Sequence, residues 1–194
     1  MINSKEELAF YIREDMKRNL KCEKFTFKMY ILHKYRLFIK SNGDMAYHYL
    51  KSLRKLEYAE NCLKEKSLIG TIIYRIRIIK FARLSYKYNI TLHPNTIGYG
   101  LYLPHIVGGG IIINCISMGN YCAINANVLV GNKHTAFDKP SIGNHVDLTT
   151  GCKLIGPISI GDNSIVAPNS VVVKDVPEGA VVSGIPAKIL KIKE

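Results

Sequence analysis

The sequence predicts a mainly β molecule in two parts, an α-helical region over residues 1–90 followed by a parallel β-helix over residues 91–194. Two observations predict this division. Aliphatic residues recur at every sixth position in the second half, whereas the apolar residues of the first half have helical spacing. The basic charge is concentrated in the first part. Residues 1–90 hold 20 Lys and Arg against 9 Asp and Glu, whereas residues 91–194 hold 7 against 6.

Three helices are predicted in the first part. Ser4 and Glu7 have the spacing of a capping box, so the first helix begins after Ser4. The stretch "SNGD" breaks the chain and offers Asp44 as the N-cap of a second helix. A third helix is expected from Ser67 to about Tyr88, with isoleucines on one face and basic residues mixed through it. Such a helix fits packing against its neighbours or contact with an acidic membrane surface.

In the second part, a core residue is expected at every sixth position, because a coil with three six-residue sides points one residue per side inward. Four residues further on, a second inward position is expected, which includes Ile116, Cys122 and Cys152. Ala136 breaks the series inside the polar stretch 132–140, which we predict to be a loop extruded from one coil. The predicted inward series is Ile106, Ile112, Met118, Ile124, Val130, Ile142, Leu148, Leu154, Ile160, Val166 and Val172.

Composition excludes several classes of protein. No stretch approaches the ~20 apolar residues of a membrane span, and charged residues stand near the start where a signal peptide would be apolar, so we expect a cytoplasmic protein. The five cysteines lack CxxC spacing, which argues against a metal cluster or a disulfide framework. The basic first part suggests an anionic partner, such as a membrane or a lipid-linked acceptor, and no nucleic acid is expected.

Motifs across residues 91–190 resemble the hexapeptide-repeat acyltransferases with a left-handed β-helix, in their serine acetyltransferase-like branch. The resemblance rests on "LHPNTIGYGLYLPHIVGGGIIIN", on the loop after "VLVGN", on "SIGNHVDLTTGCKLIGPISIGDNSIVAPNSVVVKDVP" and on "SGIPAKIL". It implies acetyl-CoA as co-substrate and no metal. It also implies a homotrimer or a dimer of trimers, with active sites between adjacent β-helices.

By this resemblance, His105 is the general base that removes the proton of an acceptor hydroxyl. The glycines at 108–110 are then expected to leave room for a substrate beside the imidazole. A backbone N–H near Gly131 would stabilise the oxyanion. The other implied contacts are Gly131, Thr150, Ala167 and Lys188 for coenzyme A, Lys191 and Lys193 near its phosphates, and Asp138 and Lys139 for the acceptor.

Several positions depart from the pattern of serine acetyltransferases. Pro104 stands where an aspartate precedes the histidine, and Thr91 stands where a carboxylate orients the imidazole. Asp138 and Lys139 replace an Arg-His pair, and "VGNKH" replaces the glycine-rich loop signature. The later coils also resemble a related branch, the O-acetyltransferases of capsular and exopolysaccharide synthesis, which has "GN" and a variable loop, as at Gly131 and Asn132. This resemblance favours a sugar hydroxyl as acceptor. The alternative is serine O-acetylation in cysteine biosynthesis.

Two further classes fit the same scaffold. A metal enzyme similar to the γ-type carbonic anhydrases would need three histidines, for which His105, His134 and His145 are the candidates. A non-catalytic β-helix is the other. Stoichiometric zinc would support the first, and failure to bind coenzyme A would support the second.

Overall fold

The protein, described by a computed structural model over residues 1–192, consists of a helical layer followed by a three-sided β-helix. A π-helical segment, Ala59–Leu63, continues the third helix. The helices described are α1 (Lys5–Leu20), α2 (Phe27–Phe38), α3 (Asn42–Tyr58) and α4 (Leu68–Tyr88).

Side-chain caps explain where most of these helices begin. Ser4 accepts a hydrogen bond from the N–H of Glu7 at 3.1 Å, and Ser67 caps α4 as the sequence predicts. The prediction for Asp44 is wrong, because α3 begins after Ser41 and Asp44 lies in its first turn. There the Asp44 carboxylate binds the Ser41 hydroxyl and the imidazole of His33. Helix α2, which begins after Thr26, was not predicted as a separate element.

The strands form three faces of a prism. Face A has the order β1-β2-β5-β8-β11, face B the order β3-β6-β9, and face C the order β4-β7-β10-β12-β13. All pairs are parallel except β12 with β13. The strands are β1 (Ile90–Thr91), β2 (Ile111–Ile113), β3 (Ser117–Met118), β4 (Ala123–Ile124), β5 (Leu129–Gly131), β6 (Ser141–Ile142), β7 (Asp147–Leu148), β8 (Lys153–Ile155), β9 (Ser159–Ile160), β10 (Ile165–Val166), β11 (Val171–Val172), β12 (Ala180–Gly184) and β13 (Ala187–Ile192).

Three corners join the faces, and the chain passes them in the fixed order A to B, B to C and C to A. The A–B corner includes residues 132–140, the B–C corner residues 143–146, and the C–A corner residues 149–152 and their counterparts in neighbouring coils. Hydrogen bonds between successive coils run along the C–A corner, from Asn127 to Gly109, from Gly151 to Ala126 and from Asn169 to Thr150. Residues on one corner therefore stack above one another along the axis.

The predicted inward series holds along most of the axis, and its first failure is a shift of register. Ile106 is buried, but Ile112 is 45% exposed and its neighbour Ile113 takes the inward position. Ile116 is likewise exposed, and Cys115 is buried in its place. The series is in phase again at Met118. Ala136, as expected from its failed position, lies exposed between β5 and β6.

Polar side chains dock the helical layer onto the first coil. Arg54 is fully buried and binds Asp15 at 2.8 Å, Glu57 at 3.1 Å and the carbonyl of Gly98 at 2.6 Å. Burial alone would lower the pKa of Arg54, but the two carboxylates raise it above its ordinary value. The guanidinium therefore remains charged, and it links α1 and α3 to the β-helix.

Candidate active site

His105 lies at the C–A corner of the first coil, between the Tyr102 bridge to face C and strand β2. Its side chain is exposed, whereas Leu103 and Ile106 on either side are buried in the core. These two apolar anchors fix the backbone and turn the imidazole outward. Among the described residues, no carboxylate pairs with His105, and Thr91 is exposed on β1.

Two asparagines of the helical layer hold the backbone on both sides of His105. The amide oxygen of Asn19, in α1, accepts the N–H of Leu103 at 3.1 Å. The amide oxygen of Asn42, in α3, accepts the N–H of Val107 at 3.1 Å. No periodic pattern predicts these contacts, since both residues bind backbone groups more than 60 positions away along the chain. The histidine thus sits on a segment clamped by the first part of the chain.

The glycine run after His105 has a backbone reason besides the one that the resemblance implies. Gly108, Gly109 and Gly110 all have positive φ, at 120°, 54° and 75°. A Cβ on Gly110 would lie 2.6 Å from the side-chain oxygen of Asn127, in the next coil. Only Gly108 has open space around it. The run therefore turns the chain tightly, and of its three positions only Gly108 would leave room for an added side chain.

A cavity of about 630 Å³ opens beside this turn. Ile106, Val107, Gly108 and Gly109 line one side of it, and the C-terminal ends of α2 and α4 line the other. Its walls are mostly apolar, with two basic side chains, Lys40 and Lys87. The cavity begins at the residue after His105, so a molecule bound there would reach the neighbourhood of the imidazole.

Two of the residues predicted to contact coenzyme A share the corner of His105. Thr150 is exposed at the C–A corner, two coils further along the axis, and Ala167 follows in the next coil. Their backbone groups are already used, because the Thr150 carbonyl accepts from Asn169 and the Ala167 N–H donates to Val182. The corner therefore offers the Thr150 side chain, but not the backbone N–H of Ala167, to a ligand.

The residues predicted for the oxyanion and the acceptor lie on another corner. Gly131 ends β5, and its carbonyl accepts the N–H of Gly156 at 3.0 Å. Asp138 binds the N–H of Thr135 at 3.0 Å within the loop, and this hydrogen bond lowers the pKa of its carboxyl. Lys139 is half-buried next to it. Within one chain, the structure does not bring this loop to His105.

The C-terminal lysines lie on a third element. Lys188 is exposed on β13, where it pairs with Ser183 of β12. Lys191 is exposed on the same strand, and Lys193 lies outside the described residues. These positions are at the far end of face C from the coil that carries His105.

The three histidines considered for zinc lie on three different corners. His134 is in the A–B loop, and His145 is at the B–C corner, stacked on Tyr121 with ring centroids 5.2 Å apart. No group of three His, Cys, Asp or Glu side chains that could hold a metal is found within residues 1–192. Cys115, Cys122 and Cys152 are buried, and burial raises the pKa of Cys152 to about 12, so it is a protonated core residue.

The fold is a left-handed parallel β-helix preceded by a helical layer. Solved structures of serine acetyltransferases have the same fold. The enzyme of Brucella abortus strain S19 superposes with a TM-score of 0.70 at 21% identity, over 98% of this chain and 71% of that one. The enzyme of Neisseria gonorrhoeae, solved in complex with serine, has a TM-score of 0.67 at 23% identity, over 97% and 71%.

The chain is also similar in sequence to serine acetyltransferases. Serine acetyltransferase 2 of Arabidopsis thaliana is 38% identical over 117 residues, which are 58% of this chain and 36% of the relative. The serine acetyltransferase of Buchnera aphidicola subsp. Schizaphis graminum is 29% identical over 153 residues, 75% of this chain and 53% of the relative. The chain spans less than two thirds of these relatives, and no protein-family model matches it. The resemblance stated from the motifs is confirmed.

Proposed function

We propose that the protein is an acetyl-CoA-dependent O-acetyltransferase with His105 as its general base. The observation that carries the proposal is the exposed imidazole on a backbone segment clamped from both sides by Asn19 and Asn42. A positioned base of this kind typically contributes ~10²- to 10⁴-fold in rate. Similarity to serine acetyltransferases, one of which was solved in complex with CoA, supports acetyl-CoA as the donor.

In the proposed reaction, His105 removes the proton of the acceptor hydroxyl while the hydroxyl oxygen attacks the thioester carbonyl. The C–S bond then breaks, coenzyme A leaves as a thiolate, and the imidazolium returns a proton to that sulfur. Because the acceptor oxygen attacks the thioester directly, the reaction needs no acyl-enzyme. The thiols of Cys115, Cys122 and Cys152 lie buried in the core. The backbone near Gly131 is our candidate for the oxyanion donor.

Serine is the acceptor that the comparisons support better, since the relatives reported above are serine acetyltransferases and one neighbour was solved with serine bound. We therefore put serine before the sugar acceptor that the sequence favours.

A sugar remains the second candidate because of the charges around the site. An ammonium group needs a carboxylate partner, yet Pro104 stands next to His105 and the Asp138 carboxylate is engaged by its own loop.

The proposal is tested by following coenzyme A release from acetyl-CoA with L-serine, nucleotide sugars and acidic oligosaccharides as acceptors. We expect His105→Ala to lose at least ~10²-fold in turnover while its affinity for coenzyme A stays unchanged. The matched control is His145→Ala, another exposed histidine, which lies on a different corner and should keep full turnover. Normal turnover in His105→Ala would show that the base is elsewhere.

The same assay decides between the acceptors. A kcat/KM for L-serine of ~10⁴ M⁻¹s⁻¹ or higher, within the usual range of enzymes, would establish serine as the acceptor. Poor use of serine with efficient use of a sugar would establish the second candidate. In either case Asp138→Ala and Lys139→Ala should change the affinity for the acceptor more than the affinity for coenzyme A.

A further inference from the structure

Helices α2 and α4 present a surface that is apolar and basic together, and nothing in the described chain covers it. On α4, Ile69, Ile72, Ile76 and Ile79 are 49 to 69% exposed. They follow a spacing of three and four residues, which puts them on one side of the helix over about 15 Å. The opposite side of α4 packs inward through Phe81, Leu84 and Tyr88.

Helix α2 also has exposed aromatic rings. Phe27 is 78% exposed, Tyr35 59% and Phe38 85%. The two helices border a common groove above α3, with Tyr30 and Lys34 from α2 and Arg77 and Lys80 from α4 among its lining residues. We call the exposed sides of α2 and α4 the basic face.

The charge of the basic face has one sign only. Helices α2 and α4 contain eight Lys and Arg residues and no Asp or Glu. Two copies of this chain meeting through this face would bring like charges together, which is unfavourable across an interface. Exposed isoleucines and aromatic rings among lysines and arginines are instead typical of helices that lie in the interface of an anionic membrane.

We propose that the basic face docks the protein on the surface of an anionic lipid bilayer. Isoleucine and aromatic side chains would enter the boundary between headgroups and acyl chains, and the cations would bind lipid phosphates. In this arrangement α2 and α4 would lie along the bilayer surface. Within residues 1–192, none of the helices has the length and hydropathy of a membrane span. The cavity beside His105 opens between the C-terminal ends of the same helices, and docking would bring it close to the lipid surface.

The experiment is co-sedimentation of the full chain with vesicles of phosphatidylcholine alone or with 30% phosphatidylglycerol. We expect binding only to the anionic vesicles, weakening as sodium chloride is raised. The variant Ile76→Asp should bind at least tenfold more weakly. The matched control is Ile116→Asp, at an isoleucine with the same 58% exposure on the β-helix, which should bind as the unchanged protein does.

Two results of the sedimentation experiment would overturn the proposal. Failure of the unchanged protein to bind anionic vesicles would exclude the membrane, as would equal binding by Ile76→Asp. The basic face would be a contact between copies of the chain if two results were found together. The unchanged protein would not bind vesicles, and Ile76→Asp would have a lower molecular mass by light scattering than the unchanged protein. Equal melting temperatures of the two variants and the unchanged protein show that any loss of binding is not unfolding. A variant that melts lower is replaced by Arg75→Glu, an exposed position on the same helix.

Discussion

At the scale of single residues, buried polar groups decide how the two parts of the chain fit together. Three buried polar side chains, those of Asp15, Asn19 and Arg54, bind backbone groups of residues 97–103. Asp15 and Arg54 also bind each other, and Asn19 binds a carbonyl of its own helix. A helical pattern of apolar residues predicts α1, but it gives no reason to expect that a carboxylate and an amide are the groups on its most buried side. The sequence therefore identifies this helix without identifying the contacts that dock it.

Loss of Arg54 is expected to be costly. Arg54→Met leaves Asp15 and Glu57 buried without their cation and should lower the free energy of unfolding by ~3–5 kcal/mol. The control is Arg13→Met, which removes a surface pair whose arginine side chain is 55% exposed, and it should change stability by less than ~0.5 kcal/mol. Urea unfolding of both variants measures the difference. Equal effects would mean that the buried network contributes no more than a surface pair.

At the scale of the elements, the six-residue repeat predicts the β-helix well and fails where the chain leaves the regular geometry. The failure at Ile112 and Ile116 follows from the three left-handed glycines, which shift the register so that Ile113 and Cys115 point inward. Residues 111–113 are all isoleucine, so an apolar side chain points inward in either register. The pattern of hydrophobic residues therefore does not reveal the shift. A sequence motif predicts His105 as the base, whereas only the fold shows that Asn19 and Asn42 hold the backbone on either side of it.

Glycines at the B–C corner allow neighbouring coils to approach closely. A Cβ on Gly143 would meet the Asp162 carboxylate and lie 2.9 Å from the Asp162 nitrogen, whereas a Cβ on Gly131 would find nothing nearer than 3.8 Å. Neither glycine has positive φ. We therefore expect Gly143→Ala to destabilise the fold by ~1–3 kcal/mol and Gly131→Ala by less than ~0.5 kcal/mol. Thermal unfolding tests this, and equal melting temperatures would contradict the packing explanation.

At the scale of the whole molecule, the candidate catalytic groups are separated within one chain. His105 lies on the C–A corner, whereas Asp138 and Lys139 lie on the A–B corner, at the other edge of face A. A site that uses both corners has to draw them from two copies. This agrees with the homotrimer or dimer of trimers that the resemblance implies.

A shared site predicts complementation between chains that are impaired at different corners, assayed at an acceptor concentration at which the loop variant is poorly active. We consider trimers assembled from two kinds of chain, His105→Ala and the double variant Asp138→Ala/Lys139→Ala. In some of these trimers, a chain with an intact His105 lies next to a chain with an intact loop, and the interface between them holds a complete site. Random mixing of equal amounts should restore about a quarter of the activity in a cyclic trimer. The measurement is acetyl transfer by co-refolded chains, with light scattering as the check on assembly. Activity no higher than that of the separate variants would show that each chain carries its own complete site.

The antiparallel pairing of β12 with β13 has a consequence for how the coil ends. A parallel coil has no intrinsic length, because each turn presents free N–H and C=O groups to the next one, and an exposed strand edge invites another chain to add to it. By reversing direction, β13 places a strand of opposite polarity on the end of face C, and its exposed side chains include Lys188 and Lys191. At the end of face C, another chain would therefore meet the charged side chains of β13 and not the parallel edge of β12.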